Sequence, residues 1–420
     1  MPLVSSSLRV VQVRAALREV RDFFVSLKLT LVLLMFSMVL IFAATLDQVN
    51  LGIWAVQEKY FRAFVVYTHV GPFSLPVFPG GYTIGGLLLL NLVAAHLYRF
   101  ALSWRKAGIQ LVHFGLIVLL VGELLTGLWQ EDAHLTLSQG ETKNYAESFR
   151  DFELVLIDTS GTEFDQVVAI PERLLARKRP IQHPALPFRI TTRLFYPNSA
   201  LVSRTPENTA ATGETASSGV GGHIAAVPQA VTHAPNERNV PAAIVELVGT
   251  DGPLGTWLVS TELTMPQEFT YEKHTWRIAL RVRRLYQPVS LTLLKFSHDR
   301  YAGTEIPKNF SSRVRVTTPD GREDREVVIY MNNPLRHEGV TFYQAGFQDD
   351  DRTTILQVVR NPAWSLPYVA CTLMTLGLVM QFGIHLVGFA RKRSVAPARA
   401  GAAPVSNQPA SARPTTPQTA

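Results

Sequence analysis

The sequence predicts an integral membrane protein: four transmembrane α-helices, three N-terminal and one C-terminal, hold a large mostly-β extracytoplasmic domain. Three observations support this fold class. Four long runs of the 420-residue chain are strongly apolar, and the region between the third and fourth alternates apolar with polar residues. Mean hydropathy is only +0.12, which indicates a few spans attached to a substantial water-exposed body. Charged residues make up 17% of the chain, below the roughly 25% of ordinary soluble domains.

The four apolar runs cover about residues 29–46, 82–100, 109–129 and 363–390. Each has roughly the twenty residues that cross the hydrocarbon core of a bilayer. A buried helix of a soluble protein would rarely be apolar on all its faces. The first run could instead be a signal peptide, but the segment before it is long and no clean small-x-small cleavage site follows. We therefore expect four spans.

Lysine and arginine predict the orientation, because both are enriched in the cytoplasmic flanks of membrane helices. They precede the first run, lie in the turn between the second and third, and follow the fourth, whereas residues 47–81 contain only Lys59 and Arg62. Residues 1–28 and 391–420 are thus expected in the cytoplasm, and the loop 47–81 and residues 130–362 outside, in a bacterial inner membrane. The same flanking cations account for the net charge of +7, so no nucleic-acid partner is predicted.

Short alternating segments between residues 130 and 362 predict a mostly antiparallel β domain. FELVLID at 152–158, TWRIALRVRRLY at 275–286 and REVVIYMN at 325–332 are typical of half-buried strands. Turn residues separate them, and Pro319-Asp320-Gly321 is expected to join two strands as a hairpin.

Three segments carry further expectations. Residues 203–240 lack aromatic side chains and are rich in Ala, Gly, Thr and Ser, so a disordered insert is predicted there, and the Ala- and Pro-rich tail 391–420 is predicted to be disordered as well. The aromatic residues of 54–67 recur at helical spacing, which predicts an amphipathic helix on the outer surface. The single cysteine, Cys371, lies inside the fourth run and excludes an intrachain disulfide.

Three histidines inside the apolar runs are the main candidates for a binding site. The sequence shows no phosphate loop, no GxSxG elbow and no HExxH motif, so no catalytic residue is assigned. His96, His113 and His385 are expected at similar depth, in the cytoplasmic half of the membrane. Neutral imidazole is a good axial ligand for haem iron. The alternative is that each histidine stabilises a helix interface or bonds to a neighbouring carbonyl, and the residues alone leave both open.

Glu123 is a further intramembrane polar residue, in the outer half of the third run. Ionisable groups are costly in a bilayer and are therefore functional candidates. It could relay protons or pair with an arginine of the outer domain. It could equally form a helix-packing hydrogen bond beside Gly122 and Gly127.

Two segments of the β domain carry a resemblance to a known family. VSLTLLKFSHDRYAGTEIPKNFSSRV at 289–314 is followed by IYMNNPLRHEGVTFYQAGF at 329–347, and the third run reads HFGLIVLLVGELLTGLW. Together with the order of the spans, these segments resemble the ResB/CcsB proteins of cytochrome c biogenesis (System II). The residues that match the family motif are Pro307, Phe310, Ser311, Asn333, Pro334, Leu335, Gly339, Phe342, Tyr343 and Gln344.

The resemblance implies a subunit that moves haem outward and presents it with apocytochrome c for attachment. It implies an integral membrane partner of the CcsA/ResC type, an accessory rather than a catalytic role, and a haem b site that the partner completes. His113 is then the best match for the haem ligand and His96 the second, whereas His385 has no support from the motif. No metal other than haem iron is expected.

Two other functions remain open from the sequence. The first is a membrane-anchored extracytoplasmic binding or scaffold protein without a cofactor. The second is a transporter subunit for another small molecule, which is disfavoured because four spans without internal repeats rarely form a complete transport path.

Overall fold

The computed structural model describes residues 4–71, 73–99, 103–205, 214–232, 238–304, 307–348 and 351–395. The α-helices are α1 Val4–Phe24, α2 Leu27–Val56, α3 Gly81–Tyr98, α4 Ala107–Trp129, α5 Glu172–Ala176 and α6 Leu366–Val395. The strands are β1 Val65–Val70, β2 Phe73–Pro79, β3 Glu131–Ser138, β4 Thr142–Asp158, β5 Gln166–Pro171, β6 Arg189–Tyr196, β7 Ser199–Ser203, β8 Ile224–Pro228, β9 Ala242–Gly249, β10 Gly252–Ser260, β11 Gln267–Tyr271, β12 His274–Arg300, β13 Pro307–Thr317, β14 Asp324–Tyr330, β15 Leu335–His337, β16 Val340–Phe347 and β17 Thr353–Arg360.

The predicted fold class is confirmed. Within the described residues, four helices are long and apolar enough to cross a membrane: α2 with the turn that follows it, α3, α4 and α6. Contacts divide the chain into two compact units, a helical unit drawn from residues 1–34, 85–123 and 365–420, and a second unit drawn from residues 35–84 and 124–364 that contains all the strands.

Glycines at intervals of seven residues pack α4 against α6 in the helical unit. Residues seven apart in a helix lie on one face, two turns from each other. A Cβ atom on Gly108 would lie 2.6 Å from the carbonyl oxygen of Gly377, and one on Gly115 would lie 2.7 Å from the Cγ atom of Met374. Gly122 faces Leu366 in the same way. The two helices are therefore antiparallel and their backbones are in close contact, as small residues allow in a membrane.

The N-terminal part of the helical unit is held by a buried amide. Asn91 of α3 is 2% exposed, and its Nδ2 atom donates to the carbonyl oxygen of Phe24 at 2.6 Å. The Thr30 hydroxyl of α2 donates to Asn91 Oδ1 at 2.6 Å. These hydrogen bonds pair backbone and side-chain groups that would be costly to leave without a partner in an apolar environment.

The outer loop contains a reversal and a hairpin. Gly52 has φ 74 and ψ 164, and this left-handed backbone breaks α2. Lys59 and Tyr60 donate to one oxygen of Asp47, at 2.6 and 2.7 Å, so the chain after Gly52 turns back along the helix. The prediction of an amphipathic helix over 54–67 is wrong for the second half of this segment, because a π-helical turn ends at Phe61 and β1 begins four residues later.

The β domain is a nearly closed antiparallel barrel with a smaller sheet beside it. The ten-stranded sheet has the order β14-β13-β12-β4-β3-β17-β16-β15, with β11 on β12 and β5 on β4. Tyr330, the last residue of β14, bridges to Asn333 just before β15, so the two ends of this path meet. The predicted Pro319-Asp320-Gly321 hairpin is confirmed, since β13 pairs with β14 on either side of it.

Two apolar cores share the long strands β4 and β12. The barrel core contains Leu137, Leu291, Leu293, Val314, Ile329, Phe342 and Leu356. The second core, between the far ends of these strands and the sheet β10-β9-β6, contains Leu154, Leu156, Ile190, Leu247, Trp276 and Ile278.

The disorder predicted for residues 203–240 does not hold throughout. Residues 206–213 and 233–237 lie outside the described residues, but β8 pairs with β7 in this segment. Ala216 and Ala226 are 4% exposed and pack with Leu258. Small alanines fill gaps beside strands from elsewhere in the domain, so the segment needs no aromatic core of its own. The predicted disordered tail after residue 395 lies outside the described residues.

Candidate functional site

His96 and His113 lie at one level of the helical unit, on the neighbouring helices α3 and α4. The ring of His96 is 6.2 Å, centroid to centroid, from the ring of Phe114, the residue that follows His113. Both histidines are half-buried. The packing of α3 on α4 thus places His96 beside the residue that follows His113, although a polar turn separates the two helices in the sequence.

A backbone contact orients the ring of His113. Its Nδ1 atom lies 2.8 Å from the carbonyl oxygen of Ile109, one turn earlier in α4. A carbonyl oxygen only accepts hydrogen bonds, so Nδ1 carries the proton and donates. In the neutral form of the ring, the lone pair is then on Nε2. This is the tautomer of a histidine that ligates a metal through Nε2 while its other nitrogen is held by a carbonyl group.

His385 does not lie at the level of the other two histidines. The contacts of Gly108 with Gly377 and of Gly115 with Met374 set the register of α4 on α6 and place His113 near Met374. His385 is about eleven residues further along α6, or about 16 Å at the rise of an α-helix. Its Nε2 atom accepts from Gln381 Nε2 at 2.9 Å. The expectation of one depth for all three histidines is therefore wrong for His385, because depth in a span depends on helix register and not on distance from the charged flank alone.

Glu123 is exposed on α4. Its neighbour Gly122 faces α6, whereas the carboxylate forms no ion pair within the described part of the helical unit. Neither a proton relay nor a packing hydrogen bond is assigned to it by this geometry.

Several family-motif residues build the barrel rather than a cleft. Leu335 is 3% exposed and Phe342 1%, and both are part of the barrel core against which Phe310 packs. Glu338 and Gly339 have φ values of 44 and 80, as required at the two centre positions of a type I′ hairpin turn, here the one that joins β15 to β16.

Other motif residues make polar contacts that hold strands and turns. Gln344 Nε2 donates to Thr354 Oγ1 at 2.8 Å, and the buried Ser312 hydroxyl donates to Gln344 Oε1 at 2.7 Å. Asn333 closes the turn after β14, where its backbone N–H donates to Tyr330 at 2.9 Å. The remaining motif residues are placed as follows: Pro307 begins β13, Ser311 pairs with Tyr330, Pro334 precedes β15, and Tyr343 is 38% exposed on β16.

A buried histidine in the barrel has no counterpart in the sequence predictions. The side chain of His298 is 5% exposed, and its Nδ1 atom donates to Asp351 Oδ1 at 2.9 Å. Arg300 donates to the other oxygen of Asp351 at 2.8 Å, and the ring of Phe347 lies 4.3 Å from the imidazole. The partners are distant in sequence and meet only because β12 and the β16–β17 loop end side by side, so no local signal could have found them.

One carboxyl group of the second unit should make stability depend on pH. Burial first, and the negative charge of Asp151 second, raise the pKa of Glu172 to about 7 from its ordinary 4.5. The folded chain therefore keeps this proton where the unfolded chain has lost it. The resulting stabilisation is complete below the unfolded pKa and is lost as pH rises through the folded pKa.

We accordingly expect the unfolding midpoint in urea to fall between about pH 5 and about pH 8, and Glu172→Gln to reduce that fall. The midpoint is measured on the full chain in detergent. Glu163→Gln, at an exposed position, serves as the matched control and should keep the wild-type profile. An identical fall in wild type and Glu172→Gln would contradict this assignment.

Comparisons with known proteins agree with the motif. Residues 255–355 match the model of the ResB-like family. Protein NrfI of Wolinella succinogenes is 30% identical over 147 residues, which cover 32% of this chain and 16% of that protein, so the chain spans only a small part of this relative. The solved structure of the cytochrome c heme lyase CcmF is 10% identical, with a TM-score of 0.21 over 72% of this chain and 30% of that one. That score is too low to carry an argument.

The matched region contains β12 through β16, and with them every residue of the family motif. The motif residues are thus the strands and turns of the barrel itself. In this barrel region the chain is similar to the ResB-like family.

Proposed function

We propose that this chain is an accessory subunit of a cytochrome c maturation complex, where it helps move haem across the membrane and present it with apocytochrome c. The observation that carries the proposal is the family match over residues 255–355, which coincides with the motif that forms the barrel. Four apolar helices supply a route through an apolar medium, and the barrel supplies a platform for a polypeptide acceptor.

The described residues of the helical unit fit a haem ligand role. The Nδ1 atom of His113 is held by the carbonyl oxygen of Ile109, and Nε2 is the nitrogen that would bind the iron. His96 lies at the same level on α3 and is the second candidate. Bound haem would supply an iron atom that accepts an imidazole nitrogen as a ligand. His385 fits less well because its Nε2 atom already accepts from Gln381.

The proposal includes an integral membrane partner of the CcsA/ResC type that completes the haem b site. Phe114 is 46% exposed beside His96, so the two histidines lie near a surface of the helical unit that another membrane protein can cover. The orientation that we propose, with both termini in the cytoplasm and the barrel outside, follows the distribution of lysine and arginine.

The test is the c-type cytochrome content of cells that lack this chain. We expect deletion to remove covalently bound haem from cytochromes c, measured by haem staining of denaturing gels, while extractable haem b is unchanged. A plasmid copy of the chain should restore the signal. Unchanged covalent haem in the deletion strain would refute the proposed function.

The second candidate, a membrane-anchored scaffold without a cofactor, is favoured by one observation. Leu335, Gly339 and Phe342 of the motif serve the barrel's own core and turns. A scaffold would show the same cytochrome defect on deletion but would purify colourless, even when co-expressed with its partner.

A further inference from the structure

The hairpin β1–β2 lies between two membrane helices and has an unusual composition. No Asp, Glu, Lys or Arg occurs between Arg62 and Arg99, a stretch that contains the whole hairpin and all of α3. Soluble hairpins usually face water with charged or polar residues on at least one side. This hairpin instead continues the uncharged surface of the span that follows it.

The apolar side chains of β2 are exposed. Phe73 and Leu75 alternate along the strand and share one face, and Val77 is the unpaired residue of a β-bulge. The three side chains are 69%, 49% and 61% exposed. Phe64, just before β1, is 70% exposed. Several large exposed apolar side chains on one short hairpin mark a site that contacts a membrane or another protein.

The base of the hairpin contacts α2. The ring of Phe78 lies 5.4 Å, centroid to centroid, from the ring of Phe36, which is in the uncharged part of α2 well before Asp47. Gly80 N–H donates to the carbonyl of Phe64 at 2.9 Å, and α3 begins at the next residue. Phe78, at the base of the hairpin, thus contacts α2. Phe73 and Leu75 lie closer to the turn at Gly71, and their side chains are exposed.

Backbone chemistry distinguishes lipid from a strand of another protein as the occupant. Pro76 and Pro79 in β2 have no N–H group, and prolines on an edge strand oppose the addition of a further strand. A two-stranded ribbon also has two open edges, which the hydrocarbon core cannot satisfy. The boundary between headgroups and acyl chains, where water reaches the edges and apolar side chains reach the lipid, meets both requirements.

We propose that the hairpin, which forms most of the connection between α2 and α3, is an interfacial membrane anchor that inserts Phe73, Leu75 and Val77 into the adjacent lipid leaflet. The bilayer is its partner, through apolar side chains and without any headgroup charge contact. This role is independent of haem binding and of the proposed function.

The test is fluorescence of single labels in the full chain. Cys371→Ser provides a cysteine-free background, because Cys371 is the only cysteine. Val77→Cys in that background is labelled with the environment-sensitive dye NBD and reconstituted into vesicles of phosphatidylethanolamine with a minor fraction of phosphatidylglycerol. Val328→Cys, 42% exposed on β14, is the matched control.

We expect the emission maximum of the NBD label at position 77 to be blue-shifted, as for a side chain at the acyl boundary. Spin-labelled lipid should lower its emission roughly two-fold. Aqueous iodide should quench position 328 and not position 77. Leu75→Cys repeats the measurement should the first variant fold poorly. Iodide quenching at 75 and 77 equal to that at 328 would overturn the proposal. Shielding from both iodide and spin-labelled lipid would also overturn it, because a protein surface would then be the occupant.

Discussion

Replacing His113 by alanine should abolish the Soret band of the purified protein, taken with its membrane partner. The expectation follows from the proposed haem role and from the Nδ1 contact with Ile109, which presents Nε2 as the ligating nitrogen. The contact with Ile109 holds the His113 ring in one tautomer and one orientation, so removal of this proposed ligand should remove most of the affinity for haem. The measurement is the absorbance ratio of the Soret band to the protein band after purification in detergent.

Two variants make this result specific. His385→Ala removes a histidine about 16 Å away along the helix axis and should leave the band unchanged. His96→Ala, at the level of His113, should weaken it or shift its position, because one of two candidate ligands is lost. A full-strength band in His113→Ala, or a colourless wild-type protein in the presence of the partner, would disprove ligation by His113.

Substituting Gly377 by alanine should markedly lower the thermal stability of the helical unit. The added Cβ atom would lie 2.7 Å from the carbonyl oxygen of Gly108 and 2.9 Å from the backbone nitrogen of Val112. Real Cβ atoms do not approach backbone so closely, so α4 and α6 must separate and lose packing along the interface. Overpacking of this kind costs about 1–3 kcal/mol. The midpoint of thermal aggregation of the detergent-solubilised chain reports the loss.

The same helix provides the control. A Cβ atom on Gly383 would meet nothing within 4 Å. Since alanine is favoured over glycine in a helix by about 1 kcal/mol, Gly383→Ala should keep or raise the midpoint. Equal midpoints for Gly377→Ala and wild type would mean that the helices are not in close contact at Gly108.

Local sequence patterns were sufficient to predict the elements whose structure does not depend on contacts with distant residues. A helix in lipid must be apolar along its whole length, so four runs were visible without any knowledge of neighbours. The alternation in 325–332 and the turn at Pro319-Asp320-Gly321 likewise contain the information for β14 and its hairpin.

Other elements depend on contacts that no local pattern contains. The aromatic spacing of 54–67 predicted one helix, but the positive φ of Gly52 and the contacts of Lys59 and Tyr60 with Asp47 reverse the chain there. The hairpin β1–β2 was not predicted, because its strands lack the alternation of polar and apolar residues that is typical of a half-buried sheet. Residues 214–232 were expected to be disordered, and they are ordered by pairing with β7 and by contacts with Leu258.

By itself the sequence predicted four spans, an antiparallel β domain and three histidines within the apolar runs, because hydropathy and alternation are properties of consecutive residues. Tertiary structure alone decided which histidines lie at the same level. His96 and His113 share a level because α3 packs on α4, and His385 is displaced because glycines set the register of α6. Helix register is determined by the steric fit of two surfaces, and residues far apart in the chain form those surfaces.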